Sequence, residues 1–438
     1  MPGTELFAVD LFAGAGGLME GFRRAGINFI AHVEKDKYCC QTLQTRLIYH
    51  FLRENGEEDL YYKYLYGEIT REEFVNLYPD EFGQISKTII NIEINDKTLP
   101  YIVDRINCLM REKGLKNIDL LIGGPPCQAY SLVGRARDPY NMENDPRNYL
   151  YRYYIRILKK FKPEVFVFEN VPGILSAGDG KLFSTVQRYF KKAGYEIEYR
   201  ILNSADFLVL QNRKRVILMG WKKGSNFKYP EFKKIEHNYK VKDLLLDLPP
   251  LKPGEGEDRK PLNYIAPPSD YLSKTGIRQD RDVVIHHRAR NHRALDLEIY
   301  RIAIEYYLNG KKLKYTDLPE HLQTHRNKDS FLDRFKVVDW EAPCSHTVVS
   351  HISKDGHYYI HPDIKQLRSI TVREAARIQS FPDNYIFEGS RTQQFIQVGN
   401  AVPPLMAYGI AAEIKKCSHN VLQQISPDFQ IIVCKGGL

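Results

Sequence analysis

One stretch near the start of the chain decides its fold class: Phe7-Ala8-Val9-Asp10-Leu11-Phe12-Ala13-Gly14-Ala15-Gly16-Gly17. Its largely apolar first half predicts a buried strand, and its glycines predict a tight turn into a helix over 18–25. Such a turn lets a ligand approach the backbone and the N-terminus of the helix. The same glycines would also suit a turn that only packs a helix closely against a strand, so both interpretations stay open.

Further apolar runs continue this alternation of strand and helix. They are residues 29–33, 119–122, 165–168 and 215–219. Near-continuous apolar strands separated by helices are typical of a parallel sheet that is covered on both faces. We therefore expect an α/β fold, interrupted by an insertion at about 46–100 that is rich in Tyr, Glu and Asn and lacks a strand of this kind.

The composition is that of an ordinary globular protein, with 438 residues, 43% hydrophobic and 27% charged. This length favours two domains over one. No run approaches the roughly 20 apolar residues of a membrane span, and residues 1–10 do not resemble a signal peptide, so we expect a cytoplasmic protein with no membrane partner. The seven cysteines include no CxxC pair, which argues against a disulfide framework or a zinc site. The net charge of +9 permits a polyanionic partner.

A second informative stretch is Gly123-Gly124-Pro125-Pro126-Cys127-Gln128, which follows the predicted strand at 119–122. It places a cysteine just past the carboxyl end of a strand, where open α/β sheets bind ligands. The glycines and prolines leave little conformational freedom around the thiol. A rigidly presented thiol suggests a nucleophile, although a lone cysteine is more often a small buried apolar residue.

Glu34 ends the strand that follows the glycine turn, 20 positions after Gly14. An acidic residue at about this distance typically accepts hydrogen bonds from a ribose diol. The turn and Glu34 together favour a cofactor that contains adenosine.

Charged residues also stand at the ends of later strands. Glu169 closes the strand at 165–168 and should lie at the same sheet edge as Cys127. Arg213 and Arg215 enter a further strand and should share one face by its period of two. They could bind an anionic or carbonyl-bearing substrate, although a solvated acid and a surface ion pair are the simpler interpretations.

The character of the sequence changes after Trp221. Residues 260–340 carry many His, Arg, Asn and Tyr residues with weak periodicity, which predicts a second, smaller domain with long loops. Regular signals return at Thr371, which forms a capping box with Glu374 at the start of a helix. Three histidines at 286, 287 and 292 have no carboxylate or cysteine at ligand spacing, so we expect no metal.

Six motifs, in this order, resemble those of the cytosine-5 DNA methyltransferase family. They are similar to its cofactor motif, catalytic loop, acidic motif, paired-arginine motif, late helical motif and last motif. The six stretches are Asp10–Gly17, Gly124–Gln128, Glu169–Val171, Gln211–Arg215, Arg368–Phe381 and Gln397–Val402. Any one motif could arise by chance, but six in register leave little room for it.

The resemblance implies a Rossmann-like S-adenosylmethionine-dependent methyltransferase domain with a mixed, mostly parallel sheet. This domain would comprise residues 1–221 and 368–438, and a loop-rich target-recognition domain would comprise 222–367. The implied reaction transfers a methyl group from S-adenosylmethionine to C5 of a cytosine flipped out of a specific duplex DNA sequence, and releases S-adenosylhomocysteine. The chain most resembles a bacterial restriction–modification methylase, which implies a protective role and a cognate restriction endonuclease. We expect a monomer.

The resemblance also assigns roles to individual residues. Cys127 would bond to cytosine C6, Glu169 would hold N3 and the 4-amino group, and Arg213 and Arg215 would support the base carbonyl, Glu169 or a phosphate. The residues matched to cofactor-binding positions are Phe12, Ala13, Gly14, Gly16, Gly17, Glu34, Asp104, Pro125, Leu150 and Asn400. The candidate DNA contacts are Gln128, Ser131, Arg135, Arg137, Arg147, Arg288, Arg290 and Arg293.

Asp104 departs from the family pattern. It follows Glu34 by 70 positions, a spacing longer than typical because of the insertion. Asp96 is the competing candidate for the acid that would contact adenine.

Three other functions stay open. A tRNA cytosine-5 methyltransferase would share the fold, but such relatives usually have a much shorter variable region than the 147 positions from Trp221 to Arg368. A catalytically inactive DNA-binding protein would not need Cys127 and Glu169. A dinucleotide-dependent oxidoreductase fits the glycine turn but does not explain Pro125-Pro126-Cys127-Gln128.

Overall fold

The computed structural model describes residues 5–126, 149–325, 328 and 332–425, with side chains up to Cys417. A seven-stranded sheet lies at its centre. The strands are β1 (Leu6–Leu11), β2 (Ile27–Glu34), β3 (Ile89–Asn91), β4 (Leu120–Gly123), β5 (Val165–Asn170), β6 (Tyr195–Asn203) and β7 (Lys214–Lys222). Their order is β3-β2-β1-β4-β5-β7-β6, with β1 to β5 paired in parallel and β7 antiparallel to both of its neighbours. The prediction of a mixed, mostly parallel sheet is confirmed.

Helices cover both faces of this sheet, as the apolar strands predict. In chain order they are α1 (Gly17–Arg24), α2 (Lys37–Glu54), α3 (Glu58–Leu65), α4 (Arg71–Val75), α5 (Pro79–Lys87), α6 (Leu99–Glu112), α7 (Leu150–Phe161), α8 (Lys181–Lys192), α9 (Asp270–Thr275), α10 (Ala294–Leu308), α11 (Val372–Ile378), α12 (Arg391–Asn400) and α13 (Pro404–Ile425). Buried side chains of α6, α7 and α8 form the core on one face, and those of α1, α2 and α13 form the core on the other. None of the helices in the described ranges is long and apolar enough to cross a membrane.

The region predicted as an insertion, 46–100, is mainly helical. Helices α3 to α5 pack around a core of their own that includes Tyr61, Phe74 and Phe82. The region also contains β3, which pairs with β2 as an edge strand of the main sheet. The sequence did not predict β3 because three residues are too short to show a period.

Residues 222–367 contain α9, α10, a short antiparallel pairing of Gly256–Glu257 with His287–Arg288, and several single turns of 3-10 helix. Part of this region packs around Tyr300, Tyr315 and Phe335. The loop-rich character agrees with the expectation of a smaller domain, while the domain boundaries stay a prediction.

Buried charges hold the late motif in place. Thr371 caps α11 in the predicted capping box with Glu374. Arg377 donates to Asp383 at 2.5 Å and to Asp247 at 2.5 Å, and all three side chains are buried. Removing one partner of such a buried pair leaves an uncompensated charge, which typically costs about 3–5 kcal/mol. The late motif is therefore stabilised by its own capping box and by the bonds of Arg377 to Asp383 and to Asp247, which lies in the segment that follows β7.

Candidate cofactor and substrate site

The glycine turn lies where the strand order of the sheet reverses. The last residue of β1, Leu11, pairs with Gly123 at the end of β4, and open α/β sheets bind ligands in the crevice at such a point. A Cβ atom added to Gly14, which has φ +56°, would meet no atom within 4 Å, whereas one added to Gly17 would lie 2.2 Å from the Val402 carbonyl oxygen. The turn thus faces open space at Gly14 and packs against the last motif at Gly17.

Glu34 lies directly beside this turn. Its Oε2 accepts from the Gly14 N–H at 2.9 Å, and its Oε1 accepts from the N–H groups of Lys35 and Asp36, each at 2.8 Å. Burial raises the pKa of Glu34, and these backbone N–H bonds oppose that shift. A carboxylate can accept about four hydrogen bonds, so Glu34 keeps capacity for a further donor such as a ribose hydroxyl.

The first acidic residue after β3 along the chain is Glu93, which was not among the residues predicted from the sequence. It follows the strand by two residues and forms an ion pair with Lys35 at 2.8 Å. The N–H of the preceding residue, Ile92, donates to the Glu34 carbonyl oxygen at 3.0 Å. Glu93 therefore lies at the same sheet edge as Glu34.

The structure places the two predicted acids elsewhere. Asp104 is exposed within helix α6, which begins at Leu99, well after the end of β3. Asp96 forms an ion pair with Arg156 of α7 and accepts from the hydroxyl of Tyr153 at 3.2 Å. Because β3 was not predicted, no sequence signal indicated that Glu93 follows a strand.

Other predicted cofactor residues lie around the turn. Phe12 and Leu150 are half-buried, Leu150 as the first residue of α7. The Ala13 N–H donates to the Val33 carbonyl oxygen at 3.1 Å, and Gly16 has φ +83°. Asn400 is exposed at the end of α12, and the residues after it pack against Gly17.

Glu169 and Arg215 form an ion pair at this sheet edge. Arg215 Nε lies 2.7 Å from Glu169 Oε1, and only 11% and 14% of the two side chains are exposed. The pair is close because β5 and β7 are antiparallel, which brings the start of β7 beside the end of β5.

The start of the predicted catalytic loop, Gly124 and Pro125, lies against the end of β5. A Cβ added to Gly124 would lie 2.3 Å from Glu169 Oε2, so only glycine allows this approach. The Asn170 side chain donates to the carbonyl oxygen of the buried Pro125 at 3.3 Å. Cys127, together with Gln128, Ser131, Arg135, Arg137 and Arg147, lies outside the described residues.

Arg213 has different surroundings from Arg215. It is fully buried, and its Nη1 and Nη2 donate to the carbonyl oxygens of Val348 at 2.6 Å and Gly399 at 3.0 Å. Strand β7 begins at Lys214, so the period-two argument does not extend to Arg213, which precedes the strand.

Residues 222–367, the predicted recognition region, contain three of the predicted DNA contacts. Of these three, Arg288 and Arg293 are exposed. Arg290 is half-buried, with its Nη2 donating to the Ile352 carbonyl oxygen at 2.5 Å. Burial lowers the pKa of Arg290 to about 10. Contacts within the protein therefore orient Arg290, whereas the other two arginines face solvent.

The neighbouring histidines are tied into the protein. His286 Nδ1 lies 2.8 Å from Asp258, His287 contacts Thr371, and His292 contacts Ser369. His287 and His292 thus connect this region to the late motif.

Comparison with known proteins identifies a family. A family model described as C-5 cytosine-specific DNA methylase matches residues 6–59 and 71–416. The chain is 45% identical to the type II methyltransferase M.Bpa9945I of Bacillus paralicheniformis, over 94% of this chain and 98% of that protein. It is 32% identical to the type II methyltransferase M.DdeI of Desulfomicrobium norvegicum, over 94% of this chain and 89% of that protein.

A solved structure shares the fold. A prophage-encoded protein of E. coli, described as a DNA modification methyltransferase, superimposes with a TM-score of 0.59 over 96% of this chain and 100% of that chain, at 22% identity. The family model covers nearly the whole chain, and the resemblance seen in the six motifs is confirmed. The chain therefore belongs to the C-5 cytosine-specific DNA methylase family and is a DNA (cytosine-5-)-methyltransferase.

Proposed function

We propose that this enzyme methylates C5 of a cytosine that is flipped out of a specific duplex DNA sequence, with S-adenosylmethionine as donor and Cys127 as nucleophile. The observation that carries the proposal is the Glu169–Arg215 ion pair directly beneath Gly124 of the loop that leads to Cys127. This arrangement would present the Glu169 carboxylate to a cytosine close to Gly124, three residues before Cys127 in the chain.

The chemistry explains why these residue types are needed. Cytosine C5 is a weak nucleophile, but addition of the Cys127 thiolate to C6 turns the ring into an enamine whose C5 can attack a methyl group. A free thiol has a pKa of about 8.5, so the thiolate needs activation by its surroundings. Glu169 would hold cytosine N3 and the 4-amino group, which stabilises the ring after addition. Arg215 would keep the Glu169 carboxylate in this orientation.

The last steps restore the enzyme. Once C5 carries the methyl group, a general base removes the C5 proton, the bond between C6 and the Cys127 sulfur breaks, and the thiolate is released. S-adenosylmethionine, when bound, supplies the methyl group as an electrophile.

The residues at the ends of β1, β2 and β3 fit such a cofactor. Gly14 leaves space for close approach to the backbone, and Glu34 keeps capacity for a ribose hydroxyl. We infer that Glu93, which pairs with Lys35 next to Glu34, takes the role that the sequence suggested for Asp104. Phe12, Pro125, Leu150 and Asn400 would line the same crevice.

The target cytosine must leave the duplex to reach Cys127, at a cost of a few kcal/mol. Residues 222–367 would select the sequence, and 1–221 with 368–438 would form the catalytic domain. The exposed Arg288 and Arg293 are candidates for phosphate or base contacts in the recognition region. Arg135, Arg137 and Arg147 are candidates in the loop after Cys127.

The names of two relatives support a biological role. M.Bpa9945I and M.DdeI are type II methyltransferases. We propose that this enzyme likewise protects DNA in a restriction–modification system, paired with an endonuclease for the same site. It would act as a monomer in the bacterial cytoplasm.

Bisulfite sequencing of DNA from cells that express the chain tests this function. We expect 5-methylcytosine at one position of a single recognition sequence, and none in cells that express Cys127→Ser. Methylation confined to tRNA, or unmethylated DNA in cells with folded wild-type protein, would contradict the proposal.

A further inference from the structure

Gln211 and Arg213 of the paired-arginine motif form hydrogen bonds with both backbone polar groups of Val348. Val348 lies in segment 345–350, near the end of the recognition region. The Val348 N–H donates to Gln211 Oε1 at 2.8 Å, and the Val348 carbonyl oxygen accepts from Arg213 Nη1 at 2.6 Å. Gln211, Arg213 and Val348 are each fully buried. The segment is thus fixed to the residues that immediately precede β7.

Arg213 also bonds the end of helix α12. Its Nη2 donates to the Gly399 carbonyl oxygen at 3.0 Å. The same helix end touches segment 345–350 directly, because a Cβ added to Gly399 would lie 2.2 Å from the Ser350 nitrogen. One buried guanidinium therefore joins two backbones that pack against each other without an intervening side chain.

The end of α12 leads straight to the cofactor turn. Asn400 follows Gly399, and two residues further the Val402 carbonyl oxygen lies 2.2 Å from the Cβ position of Gly17. Arg213 is also close in sequence to Arg215, which follows it by two residues and pairs with Glu169. Arg213 therefore bonds segment 345–350 and the end of α12 directly. Along the chain, it lies two residues before the partner of Glu169, and the helix end that it bonds lies three residues before the carbonyl that packs on Gly17.

We propose that Arg213 is a positioning residue that couples DNA binding to cofactor binding. This inference rests on the proposed function, in which residues 222–367 engage DNA. The guanidinium is a planar fork whose two donors keep a fixed geometry. A shift of segment 345–350 on DNA binding therefore displaces the Gly399 carbonyl, and with it the backbone that packs on Gly17. Packed interiors transmit such displacements because they contain little free volume.

This coupling must be reciprocal. If bound DNA tightens cofactor binding by a given factor, bound cofactor tightens DNA binding by the same factor. A purely structural arginine would lower stability, or weaken each ligand separately, and would leave this factor unchanged.

The test is the dissociation constant of S-adenosylhomocysteine, measured alone and with a saturating 30-base-pair duplex that carries the mapped recognition site. In Arg213→Lys we expect the value without DNA to stay within about 3-fold of wild type, because no cofactor contact is lost. We expect the factor by which DNA tightens binding to fall at least about 5-fold, within the usual range of coupling between two sites. A wild-type coupling factor in folded Arg213→Lys overturns the proposal, as does wild-type enzyme that methylates DNA but shows no coupling.

Gly399→Ala provides a second variant that leaves the Arg213 side chain itself unchanged. Its new Cβ would separate α12 from segment 345–350, so the coupling factor should again fall. If Arg213→Lys does not fold, this variant decides. Arg373→Lys is the matched control, since Arg373 is a buried arginine that donates to the carbonyl oxygens of Ile285, Pro382 and Tyr385. It should lose stability and keep the full coupling factor.

The two levels of failure are distinguishable. Wild-type protein that does not methylate duplex DNA contradicts the proposed function. If wild-type protein methylates DNA and the variants show the same coupling factor as wild type, only the role of Arg213 is contradicted.

Discussion

Glu169 and Arg215 lie 2.7 Å apart across the antiparallel pairing of β5 and β7, one strand away from the end of β4. The pair is largely shielded from solvent, so its geometry is better defined than that of an exposed ion pair. Glu169 Oε1 contacts the Arg215 guanidinium, and Glu169 Oε2 lies beside Gly124. The proposed substrate carboxylate is therefore already oriented by Arg215.

Glu169→Gln should separate catalysis from folding. Glutamine keeps the shape of the side chain but not the charge that holds the cytosine ring after thiolate addition. We expect kcat to fall by about 10²–10³-fold, the usual cost of losing one group that stabilises a transition state. Methyl transfer from tritiated S-adenosylmethionine measures the rate, and a thermal melt within a few degrees of wild type confirms the fold. Turnover at the wild-type rate would remove Glu169 from the mechanism.

Glu93→Gln and Asp104→Asn distinguish the two candidate acids at the cofactor site. Both side chains are exposed, but Glu93 follows β3 by two residues and pairs with Lys35, the neighbour of Glu34, whereas Asp104 lies within α6. We expect Glu93→Gln to weaken cofactor binding roughly 10-fold, since a hydrogen bond to a charged group contributes about 1.5–3 kcal/mol. Asp104→Asn should change it less than 2-fold. Isothermal titration calorimetry with S-adenosylhomocysteine gives both values, and the opposite order would restore the sequence-based assignment.

Two glycines of the cofactor turn should respond differently to alanine. At Gly14 an added Cβ meets no neighbour, so the stability cost is the strain of a left-handed alanine, about 1–2 kcal/mol. The methyl group would nevertheless occupy the space into which a cofactor fits, and cofactor binding should weaken. At Gly17 the added Cβ would lie 2.2 Å from the Val402 carbonyl oxygen, so folding itself should suffer. Urea denaturation beside cofactor titration compares the two, and equal losses of stability would count against this division.

Asp282 should make stability depend on pH. Burial, with a contribution from Asp383, raises its pKa to about 7. The folded state therefore binds the proton more tightly than the unfolded state, where the pKa is about 3.9. The stabilisation is complete below about pH 4 and is lost as the pH rises through about 7.

Asp282→Asn removes this titration. Between pH 5 and pH 8 the free energy of unfolding of the variant should gain roughly 1–3 kcal/mol relative to wild type. Urea denaturation at both pH values provides the measurement. If the free energy of unfolding changes with pH in the same way in both proteins, the pKa of Asp282 is not raised in the folded state.

Much of the central sheet could be predicted, because its strands are apolar runs separated by helical stretches. The place of Glu34 followed from its spacing of 20 residues after Gly14, and its bond to the Gly14 N–H agrees with that prediction. Glu93 could not be found in the same way, since it depends on β3, an edge strand of three residues without a detectable period.

The roles of the arginines were harder to predict from local pattern. Arg213 and Arg215 look equivalent in sequence, yet one bonds the distant Val348 and Gly399 and the other bonds Glu169. The partners of Arg213 lie 135 and 186 positions away along the chain. Contacts of this kind depend on how distant segments pack, which a local sequence motif does not encode.

Trapping of a covalent complex tests the central claim most directly. A duplex with 5-fluorocytosine at the mapped position carries fluorine where the C5 proton must leave, so the bond between C6 and sulfur cannot break after methyl transfer. With S-adenosylmethionine, wild-type enzyme should give a denaturation-resistant complex with the summed mass of protein, DNA and one methyl group, and Cys127→Ser should give none. A methylating wild-type enzyme that forms no such complex, or a Cys127→Ser variant that still forms it, would contradict the account.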